Sequence, residues 1–261
     1  MKSRGSAIVT GAARGIGLAI ASSLAKDGFS LTLNDVLDLT DAYDTVTSFG
    51  VEATVVRGDI TDRATVDSLV ESAMKNGRQL EVVVNNAFQE VRNGFLELTD
   101  EDWLQTWNVS FFGAVGLCRA AIRYMKQSRH GSIINVSSVH SLAASGGFSP
   151  YEAAKAAINA LTRSLATEFG PDGIRVNAVL PGLIITERNH DRWEEHPDEM
   201  EAVRYAYALR RPGTPEEVAS LVSFLASDRA SFITGTSVPV DGGLLAGLSE
   251  GTAIRMAQKP N

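Results

Sequence analysis

The stretch Thr10-Gly11-Ala12-Ala13-Arg14-Gly15-Ile16-Gly17 joins a short apolar run, Ala7–Thr10, to an amphipathic pattern over Ile16–Asp27. Glycine lets a backbone approach its neighbours closely and adopt positive φ angles. A helix that begins straight after such a turn directs its free N–H groups at any phosphate bound there. The stretch therefore predicts a strand, a phosphate-binding turn and a helix, although tight packing alone would also select glycine.

Short apolar runs alternate with helical periodicity along the rest of the chain. Strands are predicted at Ala7–Thr10, Ser30–Asn34, Glu52–Arg57, Leu80–Val84, Gly131–Asn135, Arg175–Val179 and Thr236–Val240. Long helices are predicted at Ile16–Asp27, Asp102–Gln127 and Pro150–Phe169, the last with Ser149 as its N-cap and Pro150 at its first position. This alternation predicts a doubly wound parallel α/β sheet, which binds ligands beyond the carboxyl ends of its strands.

Composition narrows the class of protein. The chain has 261 residues, of which 44% are hydrophobic and 21% charged, and it shows no linker or repeat, so we expect a single domain over 1–261. The net charge of −7 argues against a nucleic-acid partner. No apolar run reaches the ~18 residues that span a membrane, and the first strand begins too early for a signal peptide. We therefore expect a cytoplasmic protein, with Cys118 as a buried apolar residue.

Asp35 follows Gly17 by 18 residues, at the end of the second predicted strand. That is the spacing of the acidic residue that binds the adenosine ribose of a dinucleotide. A carboxylate there would repel the 2′-phosphate of NADP, whereas Arg14 could pair with it. Because its spacing puts Asp35 directly on the ribose, we favour NAD over NADP.

Tyr151 and Lys155 stand one helical turn apart at the start of the third long helix. A free tyrosine has a pKa of about 10, and a neighbouring cation favours the phenolate that can act as a base. Any long helix can carry such a pair by chance, so its meaning depends on the other motifs.

Taken together, the motifs resemble those of the short-chain dehydrogenases/reductases, in their ~250-residue single-domain branch. The resemblance runs from about residue 5 to Gly243 and rests on Thr10-Gly-x-x-x-Gly-x-Gly17, Asn85-Asn86-Ala87, Asn108, Ser138, Tyr151-x-x-x-Lys155 and Pro181-Gly182. It implies a seven-stranded Rossmann sheet, a nicotinamide cofactor, hydride transfer to or from a secondary alcohol or ketone, and a homotetramer or homodimer.

The resemblance also assigns roles to residues. Tyr151 is the general acid/base, Lys155 lowers its pKa and holds the nicotinamide ribose, Ser138 rather than Ser137 orients the substrate oxygen, and Asn108 bends its helix and holds a water for a proton relay. The implied cofactor contacts are Gly11, Arg14, Gly15, Ile16, Gly17, Asp35, Asp59, Ile60, Asn85, Ala87, Tyr151, Lys155, Pro181, Gly182, Ile184 and Thr186. Asp59 could equally be a capping residue for the next helix. Phe88 departs from the glycine that the family usually has after Asn-Asn-Ala, which puts the local loop shape in doubt.

The remaining features bear on the substrate. His130, His140, His190 and His196 lack the spacing of metal ligands, so no metal site is predicted. We expect His140 to be a surface or loop histidine, with a place in the pocket as the alternative because it lies two residues past Ser138. By resemblance, 187–212 forms a lid over the substrate, and the tail 244–261 covers a subunit interface or its own core. Polar residues near the presumed cleft favour a sugar or polyol as the substrate: Gln89, Glu90, Arg92, His140, Ser145, Asn189 and His190.

Several alternatives stay open at this point. The substrate could instead be a small cyclic or aliphatic alcohol, a 3-oxoacyl chain, a steroid or a terpenoid. An NADP-dependent 3-oxoacyl or other carbonyl reductase requires Arg14 to outweigh Asp35. A sensor or scaffold that binds a dinucleotide without catalysis is compatible with the same fold. Such a protein does not need Asn108, Ser138, Tyr151 and Lys155 together, and all four are present.

Overall fold

The structure is a computed structural model that describes residues 4–248, 250, 251 and 257. Its strands are β1 Ser6–Thr10, β2 Ser30–Asp35, β3 Ala53–Arg57, β4 Leu80–Asn85, β5 Gly131–Val136, β6 Ile174–Pro181 and β7 Ser237–Val240. Its α-helices are α1 Gly15–Lys26, α2 Thr40–Thr47, α3 Arg63–Ala73, α4 Asp100–Trp107, α5 Ala114–Ser128, α6 Ser149–Phe169, α7 His190–Glu195, α8 Pro197–Ala206 and α9 Pro215–Ala226. Each predicted strand is confirmed, with ends that differ by one or two residues.

The strands form one parallel sheet in the order β3-β2-β1-β4-β5-β6-β7. The chain starts in the middle at β1, winds outward to β3, and then returns to place β4 on the other side of β1. In such a doubly wound sheet, ligands bind where the winding direction reverses, beyond the carboxyl ends of the strands. The predicted single-domain Rossmann fold is confirmed, and the switch point lies between β1 and β4.

Helices cover both faces of the sheet. Side chains of α1, α2 and α9 pack with one face, and those of α3 and α5, with the end of α6, pack with the other. Strands covered on both faces are apolar throughout instead of alternating. This burial explains the continuous runs, such as Ala7-Ile8-Val9, whose three side chains are completely buried.

Helix α6 begins one residue earlier than predicted. Phe148 holds the cap position without a side-chain cap, and its carbonyl accepts a hydrogen bond from the Glu152 N–H at 3.0 Å. The prediction of Ser149 as the N-cap is therefore wrong, because Ser149 is already the first helical residue. Pro150 is the second, where its missing N–H still costs no helical hydrogen bond.

The predicted helix Asp102–Gln127 is interrupted in the middle. Helix α4 begins at a capping box between Thr99 and Asp102, and it passes into a π-helical turn over Asn108–Gly113 before α5 continues. A π-turn adds a residue to one turn and rotates everything that follows. A periodicity of 3.6 residues cannot show such an insertion, so the prediction merged two helices into one.

The segment predicted as a lid contains α7 and α8. Most of the predicted tail 244–261, including Ile254 and Met256, lies outside the described residues. Among the helices that are described, none combines the length and the apolar character needed to cross a bilayer.

Candidate active site

Three glycines shape the turn between β1 and α1. Gly11 and Gly15 have φ angles of +63° and +56°, which larger residues rarely tolerate. A Cβ at Gly17 would lie 1.9 Å from the Gly11 carbonyl oxygen, so only glycine allows the helix to start this close to the strand. Helix α1 begins after Arg14 without a side-chain cap. The N–H groups of its first turn, including that of Ile16, are therefore suited to an external acceptor such as a pyrophosphate.

Thr10 and Asn86 fasten this turn to the end of β4. The Thr10 hydroxyl accepts hydrogen bonds from the backbone N–H groups of Asn86 and Ala87, both at 3.0 Å. The Asn86 side-chain amide donates to the carbonyl oxygens of Thr10 and Gly11, also at 3.0 Å. Both side chains satisfy backbone groups at the switch point, so the shape of the turn is built into the fold.

Asp35 ends β2 beside the same turn. One of its carboxylate oxygens accepts a hydrogen bond from the Ala13 N–H at 3.1 Å, and the other accepts one from the Leu37 N–H at 3.1 Å. A carboxylate has about four acceptor positions, so two remain for a pair of ribose hydroxyls. The glycine turn and Asp35 together fit the adenosine and pyrophosphate of a dinucleotide.

Two arginines lie on this side of the site. Arg14 is exposed at the start of α1. Arg57 lies opposite Asp35 in the sheet register, and its Nε donates to the Val36 carbonyl at 3.1 Å. Arg57 is not among the predicted site residues, although its place at the end of β3 was a usable signal. Its guanidinium lies beside the end of β2 that carries Asp35.

Asp59 and Ile60 follow β3. The Asp59 carboxylate accepts a hydrogen bond from the Thr61 N–H at 2.8 Å, and the cap position of α3 belongs to Asp62. The alternative prediction of Asp59 as the cap of that helix is therefore wrong. Ile60 is buried, and a Cβ at Gly113 would lie 2.7 Å from it, so it packs against the π-turn. Contact of this pair with adenine stays a prediction.

Asn85 is engaged inside the protein. Its side-chain amide donates to the Asn135 Oδ1 atom at 2.8 Å, and the Asn135 amide donates in turn to the Thr162 hydroxyl at 2.8 Å. This buried chain links β4, β5 and α6, the helix that carries Tyr151. The predicted contribution of Asn85 and Ala87 to cofactor binding therefore falls to their backbone.

The opposite end of the cofactor site follows β6. Pro181 is the last residue of that strand, and any Cβ at Gly182 would have neighbours at 3.1 Å. Ile184 is buried and forms an isolated bridge with Gly213. A Cβ at Gly15 would lie 3.2 Å from the Thr186 methyl group. The start of the predicted lid therefore lies directly against the phosphate-binding turn.

Tyr151, Lys155 and Ser138 meet at the carboxyl end of β5. The Lys155 ammonium lies 5.5 Å from the centre of the Tyr151 ring and donates to the Val136 carbonyl at 2.7 Å. The Ser138 hydroxyl is close enough to the Tyr151 phenol to lower its pKa, whereas the Ser137 hydroxyl donates to the Lys155 carbonyl at 3.1 Å. The two adjacent serines thus point in different directions, with Ser138 toward the phenol.

Burial dominates the electrostatics of this pair. Tyr151 is partly exposed as a residue, but its surroundings withhold water from the hydroxyl, and this burial raises its pKa to about 12 while the bond with Ser138 acts in the other direction. Burial lowers the pKa of Lys155 to about 8. The predicted depression of the Tyr151 pKa by Lys155 is not seen in this arrangement. Loss of water is the first cause of both shifts.

Asn108 does not meet the catalytic pair. It begins the π-turn as predicted for a residue that bends the helix, but it is exposed and lines a surface groove with Arg119 and Arg123 of α5. The relay role predicted for Asn108 is thus not supported by its position.

Ser110, two residues further on, is the buried polar side chain of the π-turn. Its hydroxyl accepts a hydrogen bond from the Gln89 N–H at 3.0 Å and donates to the Gln89 carbonyl at 2.8 Å. Ser110 was missed because the inserted residue of the π-turn hides which side chain faces inward. A small polar residue beside two phenylalanines was the available signal.

Two chains of side chains extend outward from Tyr151. On one side, the Phe88 ring lies 6.1 Å from the Tyr151 ring, and the Arg188 guanidinium stacks on Phe88 at 5.1 Å. On the other side, His140 lies 6.0 Å from Tyr151, and its Nδ1 atom pairs with Glu152 at 3.0 Å. His140 lies in a short turn after β5, as the loop expectation has it, but its ring also faces Tyr151, which is the pocket position named as the alternative.

The second chain continues from His140 and closes on the first. Phe148 lies 5.0 Å from His140, and the Arg92 guanidinium stacks on Phe148 at 4.5 Å. Glu90 then pairs with Arg92 at 2.8 Å and with Arg188 at 3.5 Å. The result is a closed ring of contacts beside the phenol, which we call the rim and which consists of Phe88, Glu90, Arg92, His140, Phe148 and Arg188.

The other polar residues predicted near the cleft serve local structure. The Asn189 side chain bonds to the backbone of Thr186 and Ile184, at 2.8 and 2.9 Å. His190 is exposed and lies with Asp191 and Glu194 within 4.8 Å, a group that could hold a metal ion. The prediction that the histidines lack the spacing of metal ligands is therefore corrected for His190, whose ring nitrogens lie 3.5 Å from Asp191 and 3.5 Å from Glu194.

Comparisons with known proteins identify the family of the chain. A family profile described as enoyl-(acyl carrier protein) reductase matches residues 11–245. The chain is 35% identical to 3beta-hydroxysteroid dehydrogenase 1 of Eggerthella lenta over 91% of this chain and 92% of that protein. It is also 35% identical to a diacetyl reductase [(S)-acetoin forming] of Staphylococcus epidermidis, over 92% and 98%.

A solved structure extends the comparison. A putative 2-deoxy-D-gluconate 3-dehydrogenase from Agrobacterium tumefaciens with bound NADP superimposes with a TM-score of 0.87, at 27% identity over 94% of this chain and 98% of that one. The chain therefore belongs to the short-chain dehydrogenase/reductase family and is an oxidoreductase that acts on CH–OH and carbonyl groups.

Proposed function

We propose that this protein is an NAD-linked dehydrogenase of a hydroxyl-rich secondary alcohol, of the sugar or polyol kind, and that it also reduces the corresponding ketone. The observation that carries the proposal is the meeting of Ser138, Tyr151 and Lys155 beyond β5, on the same sheet edge as the glycine turn and Asp35. One end of this edge fits a dinucleotide, and the other end offers a general acid/base.

The residues divide the work of the reaction. The bound nicotinamide supplies the acceptor for the hydride of the alcohol carbon. Ser138 holds the alcohol oxygen next to Tyr151, and the Tyr151 oxygen takes the hydroxyl proton as the carbon loses its hydride. In ketone reduction, Tyr151 returns this proton to the oxygen.

Lys155 supports Tyr151 in its role as the base. A tyrosine with a pKa of about 12 is protonated at neutral pH, so the closed site has to stabilise the phenolate. Lys155 has three donors, and Val136 takes one of them. The others are available for the nicotinamide ribose and for charge stabilisation near Tyr151. Because its pKa of about 8 is near neutrality, Lys155 can also pass a proton onward.

NADP remains a second candidate cofactor for a specific reason. Arg14 stands at the start of α1 and Arg57 at the end of β3, next to the strand that ends in Asp35, and a 2′-phosphate could pair with such guanidinium groups. The Agrobacterium relative carries NADP. Asp35 supports NAD because its carboxylate occupies the place that the phosphate would need, and hydrogen bonds to Ala13 and Leu37 hold it there.

The proposed substrate class rests on this chain's own residues. The relatives are named for a steroid, a diketone and a deoxygluconate, so their names favour no single class. A polar side of the cleft, with Glu90, Arg92 and His140 in the rim, supports a hydroxyl-rich molecule over a steroid.

The proposal includes a homotetramer or homodimer. Leu104, Phe112 and Tyr124 are exposed along α4, the π-turn and α5, at 53%, 52% and 38% of their surface. A second copy would bury these side chains. Light scattering after size-exclusion chromatography tests this part, and a monomer at micromolar concentration would contradict it.

The experiment for the reaction is formation of reduced nicotinamide by purified protein. NAD and NADP are supplied separately with sugars, polyols, small cyclic alcohols and hydroxysteroids. We expect NAD-linked turnover of sugars or polyols. Faster turnover with NADP would transfer the proposal to the second cofactor, and binding of NADH without turnover in either direction would contradict a catalytic role.

A further inference from the structure

The charges of the rim do not cancel. Two guanidinium groups, of Arg92 and Arg188, share one carboxylate, that of Glu90. The one other acid in contact with rim residues in the described part of the chain is Glu152, which pairs with His140. Within the rim itself, two guanidinium groups therefore face one carboxylate, and Glu152 is engaged by the His140 ring at 3.0 Å and by the Ser145 N–H at 2.6 Å.

The two arginines use their shared acid unequally. Arg92 makes a short contact of 2.8 Å with Glu90, whereas Arg188 stands at 3.5 Å, beyond a well-formed charged hydrogen bond. Within the described residues, Arg188 makes no side-chain hydrogen bond; its contacts are this long ion pair and the stacking on Phe88. Five N–H donors in a fixed fork are therefore almost unused at the mouth of the site.

The exposed fractions of the three side chains show that Glu90 is fixed inside the protein and that the two arginines are accessible to a ligand. The Glu90 side chain is 12% exposed, but those of Arg188 and Arg92 are 50% and 57% exposed. Phe88 and Phe148 lie under the two guanidinium planes and limit their rotation. The buried Glu90 carboxylate thus holds both guanidinium groups on one side of the cleft. The groups that remain exposed to a ligand there are N–H donors of the two arginines.

We propose that the substrate carries an oxyanion, a carboxylate or a phosphate, at the end remote from its reacting hydroxyl, and that Arg188 binds this group with the help of Arg92. The inference rests on the proposed dehydrogenase function and narrows its substrate class to hydroxy acids or phosphorylated polyols. Each arginine is one aromatic contact or two away from Tyr151, so the oxyanion and the reacting carbon belong to the same small molecule.

Substrate pairs that differ mainly in one charged group test whether the charge, and not the shape of the molecule, determines turnover. We compare D-gluconate with sorbitol, and 3-hydroxybutyrate with 1,3-butanediol, since within each pair a carboxylate replaces a CH₂OH group. Sorbitol 6-phosphate distinguishes phosphate from carboxylate. We expect kcat/KM for the anionic member of at least one set to exceed that of its neutral partner about tenfold or more, with a preference that weakens as salt is added.

Arg188→Gln is the deciding variant, and Arg192→Gln is its matched control. Arg192 lies in the same segment, is also 50% exposed, and stacks on Trp193 instead of Phe88. We expect Arg188→Gln to raise KM for the anionic substrate about tenfold to a hundredfold, more than it changes the neutral one, so that the preference collapses. Arg192→Gln should retain the preference.

Two outcomes overturn the inference while the dehydrogenase stands. These are turnover that favours the neutral members, and an anion preference that survives Arg188→Gln. Absence of turnover on every alcohol and ketone contradicts the proposed function itself. Calorimetric titration of the enzyme–NADH complex with gluconate, 3-hydroxybutyrate and sorbitol 6-phosphate then decides the oxyanion site separately, and no binding sensitive to Arg188→Gln overturns it.

Discussion

The glycine turn and the rim lie at the same edge of the sheet, but they are held in different ways. Backbone geometry and buried hydrogen bonds fix the turn, which has positive φ angles at Gly11 and Gly15 and the contacts of Thr10 and Asn86. Exposed side chains form the rim through stacking and ion pairs around Glu90. The glycine turn therefore tolerates almost no substitution, whereas the side chains of the rim can be replaced one at a time.

Gly17→Ala should break the cofactor half and produce the largest effect of the binding variants. The new Cβ would lie 1.9 Å from the Gly11 carbonyl oxygen, so the turn has to open. We expect NADH affinity to fall about a hundredfold and the free energy of unfolding to fall by about 1–3 kcal/mol. Fluorescence titration and urea unfolding measure these changes.

Gly170→Ala is the control for that variant, because a Cβ at Gly170 would meet no atom within 4 Å. It should bind NADH as the parent protein does. Equal NADH affinity in Gly17→Ala would contradict the description of the turn as closed to side chains.

Lys155→Met tests whether burial governs the catalytic pair. The pKa of Lys155 is about 8 in the folded protein and near 10.5 in the unfolded chain. Below pH 8 both states are protonated and the buried cation costs its full free energy. Between pH 8 and 10.5 the unfolded chain binds more protons, so the parent protein gains stability as pH rises.

The variant lacks this gain. The stability difference between parent and variant should therefore shift by about 3 kcal/mol in favour of the parent between pH 7 and pH 10.5. Urea unfolding at the two pH values measures the shift, and Lys126→Met, at a lysine that is 47% exposed, should show little of it. A difference that is independent of pH would show that Lys155 is not desolvated.

Ser110→Ala and Asn108→Ala compare the buried polar residue of the π-turn with the exposed one that the family motif selects. Ser110 satisfies both backbone groups of Gln89, in the segment that precedes Glu90 of the rim. Its loss should cost about 1–3 kcal/mol of stability and reduce kcat/KM. Asn108 is exposed, so its replacement should have the smaller effect on both measurements. The opposite order would restore the relay role to Asn108.

Asp35→Ala should give the smallest change, in cofactor choice. Loss of the carboxylate removes two ribose acceptors and the repulsion of a 2′-phosphate. We expect the ratio of kcat/KM for NAD over NADP to fall about tenfold to a hundredfold. A ratio that stays constant in steady-state assays would mean that Arg14 and Arg57 set the preference.

The same contrast explains what the sequence could predict. Gly11, Gly15, Gly17 and Asp35 were recognisable because backbone geometry restricts residue type and spacing at their positions. The strands were recognisable because burial on both faces makes them continuously apolar. The Tyr151–Lys155 pair was found through its fixed helical spacing.

The rest depends on contacts between distant segments. Glu90, Arg188 and Phe148 come from three different loops, and no spacing along the chain reveals that they meet. The sequence could not decide between a loop and a pocket position for His140, because the contact with Glu152, on another element, orients its ring. The sequence could not show that Asn108 is exposed and Ser110 is buried, because a 3.6-residue periodicity does not include the extra residue of the π-turn.

The central claim is that Tyr151 transfers the proton in this dehydrogenase and that the binding of NADH does not depend on its hydroxyl group. The most direct test is turnover and NADH binding in Tyr151→Phe, measured on the best substrate of the parent protein. We predict that kcat falls by about 10² to 10⁴ while the dissociation constant for NADH stays within about twofold. A phenylalanine variant that keeps comparable turnover would contradict the account.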